Sequence, residues 1–94
     1  MAEIIWSKCA LEDLRSIFDF IARDSLQYAN KQVDRIIERV NILHKFQKAG
    51  RVVPEFENDS IRELLEGQYR IVYEIFPNNL ISIISIHHSS KLLV

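Results

Sequence analysis

The chain has 94 residues, 48% of them hydrophobic and 27% charged, which suits one globular domain over residues 1–94 and excludes a disordered chain. Its formal net charge of −1 excludes the strongly basic surface with which most nucleic-acid-binding proteins neutralise phosphates. No run approaches the ~20 apolar residues of a membrane span. We therefore expect no membrane partner. The single cysteine, Cys9, excludes an intrachain disulfide, and a chain without disulfides is typical of the cytoplasm, where we expect this protein to be located.

The first half of the chain predicts one strand and two helices. Residues 4–6 form a short apolar run, and Ser7 after it is a typical helix N-cap. The first helix carries one apolar stripe: Ala10, Leu14, Ile17, Phe18 and Ile21. A second cap at Ser25 opens a helix of about 20 residues, at 1.5 Å per residue ~30 Å long, which Gly50 is expected to end. Two striped helices joined by a short connection indicate an antiparallel helical hairpin.

The second half predicts strands. Four segments fit, residues 51–53, 61–65, 69–76 and 80–88, with turns at Gly67 and at residues 77–79. The predicted fold is therefore α+β with the order β-α-α-β-β-β. The helical hairpin must cover one face of a small antiparallel sheet to bury both of its stripes.

The most interesting polar residues lie on the last two strands. If residues 77–79 form the connecting loop, Arg70 lies opposite Ile86 and diagonal to His88 on the same face. If the loop has two residues, Arg70 lies opposite His87 instead. Either register places a histidine close to Arg70.

An arginine and a histidine on an open sheet face are suited to RNA cleavage without a metal. The histidine exchanges protons with the ribose 2′-hydroxyl and the leaving oxygen, and the arginine stabilises the phosphorane. Further side chains can complete such a site if they converge: Glu55, Arg51, Arg62 and Lys91. The alternative role of Arg70 is an ion pair, with Glu74 or Glu66 as the candidate partner.

No cofactor or metal is expected. The two glycines are too few for a phosphate-binding loop, and adjacent His87 and His88 would point to opposite faces of a strand. Phe20 lies off the main apolar stripe of the first helix and is a candidate partner-binding residue.

In their order and spacing, several segments resemble the RelE/ParE toxin superfamily over nearly the whole chain. They are residues 5–14 with Ile17, Ile21, Ser25 and Ala29, then residues 50–55, 61–64, 69–73 and 86–91. The resemblance implies a growth-arresting toxin that a cognate antitoxin, encoded beside it, neutralises in a toxin–antitoxin hetero-oligomer. It also implies one of two targets: the ribosome with its mRNA, or DNA gyrase.

The resemblance is consistent with more than one mechanism of growth arrest. Glu55, Arg70 and His88 match an acid, an arginine and a histidine of YoeB-like ribosome-dependent nucleases, which favours mRNA cleavage with these three as catalytic residues. Ser89 stands where those nucleases carry an aromatic residue, and the first helix is more ParE-like. The alternatives are a ParE-like, non-enzymatic gyrase inhibitor and an attenuated member that binds only its antitoxin. We expect Phe20 to contribute to the antitoxin surface.

Overall fold

The computed structural model describes residues 1–90. Its helices and strands run in the predicted order: β1 Glu3–Trp6, α1 Lys8–Ala22, α2 Leu26–Asn41, β2 Arg51–Val52, β3 Ile61–Glu66, β4 Tyr69–Phe76 and β5 Leu80–His88. The helices begin where the caps predict. Ser7 Oγ accepts from Ala10 N and Ser25 Oγ accepts from Tyr28 N, which satisfies one backbone donor at the start of each helix.

The second helix is shorter than predicted. α2 ends at Asn41, and a 3₁₀ turn over Ile42–His44 follows it. This turn anchors the first strand, because Ala2 N–H donates to the His44 C=O and the Ala2 C=O contacts the His44 ring. The apolar period therefore continues past the end of the helix and into the turn, where Leu43 is fully buried.

The five strands form one sheet in the order β1-β5-β4-β3-β2. β1 pairs parallel to β5, whereas the other neighbours are antiparallel. The sheet is thus mixed: the predicted antiparallel pairing holds for β2 to β5, and it was wrong only for the edge strand β1. The two helices separate β1 from the other strands, so no tight turn joins β1 to a neighbour. An antiparallel pairing is therefore not imposed on β1, and it lies parallel to β5.

The helical hairpin covers one face of the sheet, as predicted. The principal core lies between them and consists of Ala2, Ala10, Ile36, Val40, Leu43, Leu64, Ile71, Tyr73, Ile81, Ile83 and Ile86. A second, smaller cluster lies on the opposite face, which we call the outer face, where Val53 and Val72 pack with Ile61 and Ile84. Among the described residues, no helix combines the length and apolarity needed to cross a lipid bilayer.

Candidate functional site

A β-bulge in β5 sets the neighbours of Arg70. Phe76 pairs with Leu80, so the loop has the three residues 77–79. Val72 pairs with Ser85 but Tyr73 pairs with Ile83, which leaves Ile84 as an extra residue. Arg70 consequently lies opposite His87, although the three-residue loop predicts Ile86. Of the two predicted alternatives, the structure has the three-residue loop, but the extra residue gives Arg70 the neighbour expected for the two-residue loop, His87.

The Arg70 side chain lies at the centre of a charge network on the outer face. Its Nη1 and Nη2 donate to the two carboxylate oxygens of Glu55 at 2.9 and 2.8 Å, and its Nε donates to Glu63 Oε1 at 2.5 Å. The second Glu63 oxygen accepts from Arg51 Nε at 2.6 Å. The network therefore alternates in charge: Arg51, Glu63, Arg70 and Glu55. Arg70 thus pairs with Glu55 and Glu63, whereas the candidate partners from the sequence were Glu74 and Glu66.

Burial of this network increases from its ends to its centre. The Glu63 side chain has no exposed surface and that of Arg70 is 7% exposed, whereas that of Arg51 is 60% exposed. The hydrogen bonds that Arg70 donates to Glu55, and the one that it donates to Glu63, raise the pKa of its guanidinium above the ordinary value, although burial opposes the shift. Arg70 is thus a fixed cation that two carboxylates neutralise.

Glu63 is the residue of this network that the sequence reasoning did not identify. It lies on β3 opposite Val72, and Val72 is two residues along β4 from Arg70, so Glu63 and Arg70 share one face. Pairing β3 with β4 through the tight turn at Gly67 would have placed the carboxylate there.

The two histidines lie on different faces, as the alternation along a strand predicts. His87 lies on the outer face with Arg70, and its Nε2 is 2.7 Å from Ser85 Oγ. His88 pairs with Tyr69 on the helix-covered face, where the two rings meet edge to face at 5.9 Å. The structure thus brings Glu55 and Arg70 into direct contact but places His88 on the opposite side of the sheet from them.

The supporting residues do not all converge on Arg70. Arg51 reaches it only through Glu63. Arg62 is directed to the other face, where it donates to the Gly50 C=O at 2.9 Å and pairs with Asp59 at 3.0 Å. Lys91 lies outside the described residues. The predicted convergence is therefore partial, because alternation along β3 turns Arg62 away from Glu63.

Phe20 is 65% exposed, as the sequence predicts, and lines a groove of about 410 Å³ beside the end of β5. Ile17, Tyr69 and His88 line the same groove. It lies on the helix side of the sheet and does not include Arg70.

Two solved structures of toxin–antitoxin proteins share this architecture. The chain is similar to the chromosomal ParDE toxin–antitoxin system from P. aeruginosa, with a TM-score of 0.75 at 24% identity, covering 94% of this chain and 96% of that one. It is also similar to the YoeB-YefM toxin–antitoxin heterotetramer from Staphylococcus aureus, with a TM-score of 0.55 at 18% identity and coverages of 90% and 93%. At these identities the likeness concerns the fold alone.

Sequence comparisons agree with the fold. The chain is 26% identical to "Toxin RelE2" of Caulobacter vibrioides over 92 residues, which is 98% of this chain and all of that protein. It is thus a small α+β toxin of the RelE/ParE superfamily. The model of the ParE toxin of the type II toxin–antitoxin system parDE matches residues 4–93, and the chain belongs to that family. It is the toxin component of a type II toxin–antitoxin system.

Proposed function

We propose that this toxin arrests growth by binding a protein target, DNA gyrase, without cleaving RNA. The observation that carries the proposal is the engagement of all three Arg70 nitrogens by two carboxylates. Its guanidinium donates through all three of its nitrogens to Glu55 and Glu63, both of which are largely buried. For Arg70 to stabilise a phosphorane, a phosphate would have to compete with these carboxylates for the guanidinium, and breaking a buried charge pair is costly.

The charge on the outer face supports the same proposal. Within residues 1–90, Glu55, Glu63 and Glu74 outnumber Arg51 and Arg70 on this face, and the chain as a whole has a formal net charge of −1. Such a surface repels the phosphates of RNA and DNA, whereas it is compatible with a protein partner. The first helix, which is more ParE-like in sequence, supports gyrase as that partner.

Ribosome-dependent mRNA cleavage is the second candidate, because Glu55 and Arg70 are in direct contact and His87 lies opposite Arg70. In this mechanism Glu55, Arg70 and His88 are the proposed catalytic residues, with Arg51, Arg62, His87 and Lys91 in support. It requires the Glu55 carboxylate to leave Arg70 when RNA binds, and it requires His88 to act from the opposite side of the sheet.

Two assays with the purified toxin distinguish these mechanisms. The first measures supercoiling of relaxed plasmid by purified gyrase, and the second measures cell-free translation together with the ends of the mRNA fragments. We expect inhibition of supercoiling with intact mRNA. Cleaved mRNA on ribosomes, with unaffected supercoiling, would overturn the proposal in favour of cleavage.

The second half of the proposal is that a cognate antitoxin neutralises this toxin by covering part of its surface. The exposed Phe20 ring supports this, because a large apolar side chain at 65% exposure gains stability when a partner buries it. The antitoxin is proposed to be the product of the reading frame adjacent to that of the toxin. Co-purification of the two proteins in one complex is the expected result.

A further inference from the structure

The two carboxylates that bind Arg70 are attached to the sheet in different ways. Glu63 lies within β3, its side chain has no exposed surface, and it binds both Arg51 and Arg70. Glu55 lies on the connection between β2 and β3, and its side chain is 14% exposed. Separating Glu63 from Arg70 would therefore require a strand of the sheet to move, whereas Glu55 can leave by a movement of the connection alone.

Glu55 binds Arg70 in the geometry with which a guanidinium binds an oxyanion. Nη1 donates to Oε2 at 2.9 Å and Nη2 donates to Oε1 at 2.8 Å, so the two hydrogen bonds form a fork. Phosphate oxygens accept the same pair of hydrogen bonds from an arginine. A phosphate group can therefore occupy the position of the Glu55 carboxylate, with the bond from Arg70 Nε to Glu63 left intact.

The charge of the network favours an anion once Glu55 has left. Arg51 and Arg70 carry two positive charges, and Glu55 and Glu63 carry two negative charges, so the network as a whole is neutral. Without Glu55, two positive charges face one negative charge, which leaves +1. The guanidinium of Arg51 lies near that of Arg70 because both bind the Glu63 carboxylate. A phosphate group on Arg70 therefore has a second, exposed cation beside it.

The connection between β2 and β3 is closed at its base and disfavoured near its tip. At the base, Val53 N–H donates to the Ile61 C=O at 3.1 Å. Near the tip, Glu57 has a φ of +49°, a region that disfavours any residue with a Cβ. An outward movement of residues 54–57 relieves this conformation and leaves the hydrogen bond at the base in place. The connection thus has the construction of a short flap that carries Glu55 on its inner side.

We propose that Glu55 is an autoinhibitory gate on an oxyanion site that Arg70 and Arg51 form. In the closed state the Glu55 carboxylate occupies the site itself, through its two hydrogen bonds to Arg70. In the open state residues 54–57 move outward with Glu55, and a phosphate group takes the place of the carboxylate. The gate is a contact within the chain, so it operates in the same way whichever target the toxin binds.

The first test titrates the ¹⁵N-labelled toxin with inorganic phosphate and follows the Arg70 Nε–H signal by NMR. We expect Glu55→Ala to bind phosphate about tenfold or more tightly than the wild type, because the competing carboxylate is gone. Glu57→Ala is the matched control, since it removes the same charge from an exposed position of the same connection, and it should bind as the wild type does. Equal affinities of Glu55→Ala and the wild type would overturn the proposal. Equal gains in the two variants would also overturn it, because they would reflect net charge alone.

A second variant, Glu55→Gln, separates the charge of the gate from its size. The glutamine amide keeps the shape of the carboxylate, but its NH₂ group cannot accept a hydrogen bond from the guanidinium. We expect this variant also to bind phosphate more tightly than the wild type and to shift the Arg70 signal, with circular dichroism verifying the fold of each variant. A shift confined to other signals would place the phosphate elsewhere and contradict the gate. The titration contains neither gyrase nor ribosomes, so its failure is distinguishable from failure of the proposed function, which the supercoiling assay measures.

Discussion

Glu63 and Arg70 are diagonal neighbours on β3 and β4, and a 2.5 Å hydrogen bond joins the buried carboxylate to the guanidinium Nε. Because Glu63 also accepts from Arg51, one carboxylate without exposed surface neutralises two arginines. The charges of this network depend on one another, because removing a central charge takes one ion pair away from each of its neighbours in a buried site. The network also fixes the loop that carries Glu55 against the outer face of the sheet.

Replacement of Glu63 should therefore be costly. We expect Glu63→Ala to lower the free energy of unfolding by about 3 kcal/mol, because it leaves the Arg70 cation with Glu55 alone in a buried site. Urea unfolding measures the change. Glu38→Ala, at an exposed position of α2, is the matched control and should change stability by less than about 0.5 kcal/mol. Equal stability of the two variants would show that the network contributes little.

Residue 50 must be a glycine because its backbone lies close to both β3 and β4. A Cβ at this position would collide with the Glu63 backbone oxygen and would lie 2.8 Å from the Tyr73 ring. We expect Gly50→Ala to destabilise the protein by about 2–3 kcal/mol in thermal unfolding, because a backbone oxygen cannot move aside as a side chain can. Gly67→Ala should cost about 1 kcal/mol, since it has space but a φ of +58°. The reverse order would contradict this explanation.

The buried hydroxyl of Tyr73 should make stability depend on alkaline pH. It accepts from Gly50 N and donates to the Gln47 C=O, and burial raises its pKa above the ordinary value of 10.0, although the Gly50 hydrogen bond opposes the shift. The folded state therefore keeps this proton after the unfolded state has released it. The contribution to stability is complete below pH 10 and is lost as the pH rises through the folded-state pKa.

Tyr73→Phe isolates that effect. The wild-type free energy of unfolding should fall more steeply above about pH 10 than that of the variant, because only the wild type loses this proton on unfolding. Near neutral pH the variant should be less stable by about 1–3 kcal/mol, since the Gly50 N–H loses its buried acceptor. Urea titrations at several pH values measure both quantities. Parallel pH profiles for the two proteins would contradict the raised pKa.

The proposed mechanism predicts that the His88 imidazole is dispensable for growth arrest. We expect His88→Gln, expressed without antitoxin, to arrest growth as the wild type does. If His88 were the general acid or base of RNA cleavage, the same substitution would lower the cleavage rate by ~10²–10⁴-fold and abolish growth arrest. Growth curves together with mapping of mRNA ends distinguish these results, and immunoblots verify equal expression.

The sequence predicted most of the fold because the relevant signals are local. Ser7 and Ser25 cap the helices where the cap residues indicate, and alternation in residues 69–76 identifies β4 with its observed bounds. The parallel pairing of β1 has no such local signal, because it depends on how the helices cross the sheet. The end of α2 at Asn41 was missed because the 3₁₀ turn continues the apolar period.

The candidate site was less predictable for the same reason. The contact between Glu55 and Arg70 joins a loop to a strand 15 residues away, and it depends on the path of residues 53–60 across the outer face. The position of His87 depends on a bulge, and a bulge requires one strand to be aligned with its partner residue by residue. The burial of Glu63 depends on β3 lying beside β4, which the residues of β3 alone do not indicate.

The bulge also determines where β5 tolerates a change of length. Ile84 and Ser85 both lie on the outer face, so losing either one would restore simple alternation and leave every later side chain where it is. Losing Ile86 or His87 would instead exchange the two faces for the residues that follow. In evolutionary terms, the bulge is a place in the second half of this strand where the loss of one residue keeps every later side chain on its own face of the sheet.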